Sequence, residues 1–588
     1  MMRLALSKIL PVSAGLCLIA SLGLGLWVQD ASNPLMMLPA VVMSLWLIAS
    51  GRLLQLNLRD PALLGLTILW ALWALSSLHS AFPFNSQVTW LIMGTLPISF
   101  MVWRVAGFTD HWLKILMGLI LGSGTLLAIW ALLQVTILPA TPWNGRAGYP
   151  FADPNMLGIY FSLLILPLST VLLTQLFNPL LRTSLLVVLG LMIAGLCATQ
   201  SRSAFLGMGI GMGLILILLH HKIIWTRNIQ IALGASALAI TAIIASSGFI
   251  SRFLSVFSEH GDKDVLSRLS LWQSAFAMSL QNPLLGYGFG TFGLYYPIFR
   301  QPADNSGGWW VHMDPLQWAV ESGWPTTVIF YALCAYLAFC VVRLARAKTI
   351  TGLQAGSAGA LLCLFLNAHT AYPLHVIPFM LLATGMITLL VPVPETATRS
   401  KLTPVFASVV LLTLLFNQLT TLRVGSTLYY WQEISEARQS GDQYRFSTNM
   451  KDCLERGDPH YAFCKFLVIE TALNAAQELP PMTLQLIDNA RLYNPMLPQP
   501  DFYLGLYYLK TSPQNSIPAI TAFQQSLAKN PTFWSARRLL VGTLSANGRN
   551  HEALAVLEKG ADYPATESER KFYDYMRNKL ELSLIGGQ

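Results

Sequence analysis

Apolar runs of membrane-spanning length recur along most of this chain, and no other feature constrains it as strongly. A helix needs about 20 apolar residues to cross the hydrocarbon of a bilayer. In lipid the backbone must also satisfy its own hydrogen bonds, which selects helices. Thirteen runs are read, at about 9–28, 35–50, 62–79, 87–103, 115–137, 155–176, 184–199, 203–219, 229–249, 324–342, 352–368, 373–392 and 402–422. The first follows Arg3 and Lys8 in the manner of a signal peptide, but with twelve more runs behind it an uncleaved helix is expected. Charge divides in the same way: residues 1–424 hold 21 Lys/Arg and 11 Asp/Glu, and the remaining 164 residues hold 16 and 17. The chain therefore reads as a polytopic α-helical membrane domain over 1–423, followed by an all-α domain of soluble composition over 424–588. The formal net charge of +9 belongs to the membrane part. It is no sign of a nucleic-acid partner.

Orientation follows from the positive-inside rule. With the N-terminus in the cytoplasm, cytoplasmic segments carry fourteen Lys and Arg, and short outer loops carry only Arg146 and Arg202. An odd number of spans then leaves 424–588 outside. The outer connection 250–323 is too long to be an idle link. It holds Arg252, Arg268 and Arg300 and ends near Trp309 and Trp310.

The tail repeats at roughly 34–36 residues. Asn494-Pro495 recurs as Asn530-Pro531, and the Ala519–Phe523 stretch recurs at Ala553–Leu557. Helical hairpins of the tetratricopeptide type are expected, a fold that commonly binds protein partners on a concave face. Five of the seven cysteines fall in spans and read as small apolar residues. Cys453 and Cys464 are in the tail, where an oxidising exterior would let them pair. Neither a CxxC nor a His/Cys cluster suggests a metal site, and His220-His221 reads as interfacial.

Polar groups on the outer side are the ones a simple scaffold does not need. Arg202 stands in Ser201-Arg202-Ser203 with almost no loop around it. It either snorkels to the headgroups or faces an anionic substrate. Gly207, Gly209, Gly211 and Gly213 follow and suit close helix packing. Arg146 precedes Asp153-Pro154-Asn155, where Asp153 reads as an N-cap and Pro154 as the first helical residue. The glycines at 286, 288 and 290 suggest a tight backbone passage, without the residues of a phosphate loop. His312 stands just before a helix start, which Asp314, Pro315 and Gln317 would open as cap, first-turn proline and capping-box partner.

These residues resemble the O-antigen ligase superfamily: Arg146-Ala-Gly148 with Pro154-Asn155, Ser201-Arg202-Ser203, the Arg268, Trp272, Pro283, Gly286 run, and His312 before Gly323. The resemblance covers roughly 80–380. It implies a metal-independent, cofactor-free glycosyltransferase of the bacterial inner membrane with a periplasmic tail. The donor would be a glycan on undecaprenyl diphosphate. The family motif places Asn, Ser or Gln after its His; Met313 stands there here, so Asp314 or Gln317 would take that role. His369 with Tyr372-Pro373-Leu374 is similar to an element of protein O-oligosaccharyltransferases and some polymerases, with Ala371 where that branch has an acidic residue.

The expected chemistry is an inverting transfer. Arg146, Arg202 and Arg268 would clamp the diphosphate, His312 would by resemblance act as base, and His369 would be accessory. The acceptor is a growing glycan, lipid A core or, alternatively, a protein hydroxyl. A transporter or flippase without chemistry is the rival from another class, disfavoured because the polar residues collect at the outer surface rather than at the midplane.

Overall fold

Each apolar run that the structure describes is helical, as the backbone requirement in lipid demands. The structure is a computed structural model that describes residues 2–29, 33–138, 143, 145–151, 153–222, 263–301, 304, 306–393, 401–475, 479–563 and 565–585. The span expected at 229–249, and Arg252 with it, lie outside the described residues. Among those described, nine helices are long and apolar enough to cross a membrane. Pro34–Ser50, Gly352–Ala368 and Ile377–Leu390 are apolar but shorter. The run at 87–103 is divided at Gly94 into Pro83–Met93 and Thr95–Val105. The run at 373–392 opens with a short 3-10 turn, Pro373–His375, before its helix.

At the centre stands Pro154–Thr174, buried along nearly its whole length. It packs against Pro179–Thr199, Arg202–Leu219 and Gly352–Ala368. Glycine permits the closest of these approaches. A Cβ on Gly211 would lie 2.5 Å from the Gly359 carbonyl oxygen, and one on Gly207 would lie 2.6 Å from Asn367 Nδ2. Gly209 and Gly213 have no such neighbour within 4 Å among the described residues. Among the described residues, therefore, the Gly207 and Gly211 pair forms a packing seam and the Gly209 and Gly213 pair does not.

The expected division at 423/424 falls inside one continuous helix, Thr403–Ser440. Its 38 residues span roughly 57 Å, far more than a hydrocarbon layer of about 30 Å. Arg423 on this helix pairs with Asp458 at 3.1 Å and donates to Gln87 at 2.6 Å, tying the tail to the bundle. Eight helices follow: Gln443–Arg456, Phe463–Ala475, Met482–Tyr493, Gln499–Thr511, Ile517–Lys529, Trp534–Ala546, Asn550–Glu558 and Glu567–Ile585. Each packs on the next. The repeated asparagines Asn494 and Asn530 cap helix C-termini, so the Asn-Pro pairs mark helix ends. Cys453 and Cys464 are joined in a disulfide between the first two of these helices.

Candidate functional site

Two helix starts meet at one end of the bundle. Asp153 caps Pro154–Thr174 by accepting from Asn155 N at 2.8 Å, with Pro154 at the first helical position. Ser201 caps Arg202–Leu219 and donates its hydroxyl to Asn155 Oδ1 at 3.0 Å. A Cβ on Gly158 would lie 2.9 Å from the Ser201 Cβ, so the two starts touch. Arg146 crosses both, donating from Nε to the Thr199 carbonyl at 2.9 Å and from a terminal nitrogen to Asn155 Oδ1 at 3.2 Å. Arg202 is the first residue of its helix and is half-buried. Helix N-termini carry partial positive charge and free N–H groups. Two of them, flanked by guanidinium groups, form a place suited to an anion.

Among the described residues, the connection toward Trp324 contains three helices, Lys263–Gln281, Phe292–Phe299 and Asp314–Ser322. The glycines thread between them as the sequence suggests. Gly286 has φ +66°, and a Cβ there would fall 2.3 Å from the Glu321 carbonyl carbon. Tyr287 N and Gly288 N donate to the Val320 and Glu321 carbonyls, both at 3.0 Å. The Glu321 side chain, wholly buried, accepts from Gly290 N at 3.0 Å, Phe292 N at 3.2 Å and Gln317 Nε2 at 3.2 Å. Burial pushes this carboxyl above its ordinary range, and those donors oppose the rise.

The expected capping box at Asp314 does not form. Met313 occupies the cap position and Asp314 is the first helical residue. The Asp314 carboxylate turns instead to His375, accepting from Nδ1 at 2.6 Å and from Leu374 N at 3.0 Å. Burial raises this carboxyl too, opposed by the His375 bond. Gln317 accepts from Val311 N at 3.1 Å and donates to Glu321. Both side chains thus hold the backbone on either side of the site, and their hydrogen bonds are not to His312. The local pattern could not reveal this, because the partner of Asp314 lies 61 residues away.

His312 has φ +56°, a conformation uncommon outside glycine and one that functional positions often keep at a cost. Its ring meets Tyr372 edge-on at 5.4 Å, and Tyr372 lies flat against Trp310 at 4.7 Å. Arg268 donates to the Thr370 carbonyl at 3.1 Å, which brings its guanidinium to the same corner. Burial, reinforced by the Arg268 cation, lowers the imidazole to about 4, while Asp153 acts in the opposite direction. His312 is therefore a neutral ring at neutral pH.

His369 has both ring nitrogens engaged, Nε2 with the Tyr331 hydroxyl and Nδ1 with the Phe365 carbonyl, each at 2.8 Å. His375 is the residue that sequence reasoning missed. Trp318 donates to its Nε2 at 3.2 Å while Nδ1 donates to Asp314. Its position directly after Tyr372-Pro373-Leu374 was the available signal.

Fold and site together define a class: a polytopic helical membrane protein with a basic site, containing a neutral histidine, at one end of its bundle. Residues 187–331 match the family model of the O-antigen ligases, a stretch that contains Arg202, Arg268 and His312. No curated protein matches the chain.

Proposed function

We propose that the protein is a membrane glycosyltransferase that moves a glycan from a polyprenyl diphosphate to an acceptor hydroxyl at the periplasmic face, in surface-polysaccharide assembly. The reading is carried by one observation. The segment matching the O-antigen ligases brings His312 beside Arg268, next to the paired helix starts where Arg146 and Arg202 sit. Arg146, Arg202 and Arg268 hold the diphosphate and stabilise the charge that grows as it departs. The acceptor oxygen attacks the anomeric carbon from the opposite side. The bond from that carbon to the phosphate oxygen breaks, its electron pair leaves with the diphosphate, and the configuration inverts. The hydroxyl proton passes to the neutral imidazole of His312. The bilayer presents the donor, and the tail, read as tetratricopeptide-like, stands on the same side to engage acceptor or partner.

The test is glycan analysis of a deletion strain. Accumulation of carrier-linked glycan, with loss of its transferred product, is expected, and wild-type protein but not His312→Ala should restore transfer. The nature of the lost product, polymer, capped lipid or modified protein, identifies the acceptor. Unchanged glycans in the deletion strain would overturn the reading.

A further inference from the structure

The aromatic side chains around His312 exceed what proton transfer needs. Trp310 and Tyr372 stack with planes 6° apart. Trp309, the next residue, is 69% exposed, uncommon for so large an apolar side chain. Glycine lets backbone approach the ring closely. A Cβ on Gly293 would approach Trp309 Cε3 to 3.1 Å, and one on Gly307 would approach Cδ1 to 3.3 Å. The indole therefore rests on backbone from which side chains are missing. The turn is held firmly: Arg300 donates to the Ser306 carbonyl at 2.6 Å, and Asp304 accepts from Ser306 N and from Ser267 Oγ, each at 2.8 Å. Ser267 precedes Arg268, so the turn and the proposed clamp share a support. Gly293 belongs to Phe292–Phe299, the helix that the tail helix Ile517–Lys529 touches. The helix that Trp309 packs on thus also touches the tail.

We propose that Trp309, which directly precedes the stacked Trp310 and stands three residues before His312 in the chain, is a subsite for a sugar ring of the glycan. The proposal rests on the glycan-transfer reading and deepens it. One face of a pyranose presents C–H bonds, which fit the negative face of an aromatic ring, while the hydroxyl groups keep their water. A rigid indole supported from below and open above offers that face without ordering cost.

The test uses purified protein in liposomes with carrier-linked glycan, and the same glycan freed from its carrier by mild acid as a binding probe. Trp309→Ala should raise KM about tenfold with kcat nearly unchanged, the loss expected for roughly one aromatic stacking contact. Trp309→Phe should recover most of it. The freed glycan should quench tryptophan fluorescence in the wild type, and this quenching should vanish in Trp309→Ala. Equal KM and equal quenching in the two proteins would overturn the subsite. So would quenching of the Trp309 signal by brominated phospholipid, which would make the residue a bilayer anchor. If wild-type protein transferred nothing, the glycosyltransferase reading would fail, and the glycan titration, which needs no turnover, would still decide the subsite.

Discussion

The two ends of the bundle use charge in opposite ways. At the end away from the site, cations are tied off. Arg104 pairs with the buried Asp60 at 2.8 Å and donates to the Val391 carbonyl at 3.2 Å. Arg52 donates to the Val105 carbonyl at 2.6 Å, and Lys222 donates to that of Ile350 at 2.8 Å. At the site end, Asp314 and Glu321 give their oxygens to backbone N–H groups, His375 and Gln317. A carboxylate held in that way shapes a loop and neutralises no guanidinium. At one end a buried acid is paired with a guanidinium, and at the other the two buried acids beside the site hold backbone and neighbouring side chains.

This contrast is broken most directly at His312. His312→Ala should leave the protein inserted and carrier-linked donor bound, since the arginines and not the imidazole hold the diphosphate. Transfer should fall by roughly 10²–10⁴-fold, the usual cost of losing a positioned acid–base group. Donor binding and turnover lost together in purified liposomes would assign the ring a structural role instead.

Arg202→Lys asks whether the site end needs geometry or only charge. An ammonium cannot supply the planar fork of a guanidinium. Loss of one charge-assisted hydrogen bond corresponds to about 10–100-fold in transfer. Full activity at normal expression would reduce Arg202 to a charge near the headgroups.

Arg104→Met is the control at the end away from the site. Removing one partner of a buried pair costs about 3–5 kcal/mol of stability, so melting temperature and yield should drop. Transfer per folded molecule should stay within about twofold, because nothing at that end reaches the diphosphate. A selective loss of transfer at normal stability would show that the ends are coupled.

What the sequence made legible follows the range of the interactions involved. Spans are set by local hydropathy and caps by adjacent residues, so the apolar runs and the Asp153-Pro154 start are readable from the chain alone. The same holds for the Asn-Pro helix ends of the tail. Asp314 misleads because a tertiary partner, His375, captures its carboxylate. Gly209 and Gly213 share the spacing of Gly207 and Gly211, yet among the described residues only the latter pair faces a close neighbour. A regular spacing gives the faces of a helix but not which face will be occupied. The role proposed for Trp309 was likewise hidden, since it depends on Gly293 being brought against it by folding.

The smallest expected effect concerns pH, and it sharpens the electrostatic side of the comparison. Burial and Arg268 hold the His312 imidazole at about 4, well below the ordinary value of about 6.5. The base must be neutral, so activity should rise with pH through about 4 and then stay level across neutrality, where an unperturbed histidine would still be titrating. Arg268→Gln removes a cation that disfavours the protonated ring. The acid limb, read on the residual activity of that variant, should therefore move upward. Asp153→Asn keeps a capping side chain but removes an anion that favours protonation, so its limb should move downward. The shift also bears on folding. Between about 6.5 and 4 the unfolded chain binds a proton at His312 that the folded chain refuses, so stability should decline as pH falls through that window. Parent and both variants sharing one limb near 6.5 would mean that neither charge acts on the imidazole, and the positive corner proposed around His312 would lose its electrostatic support.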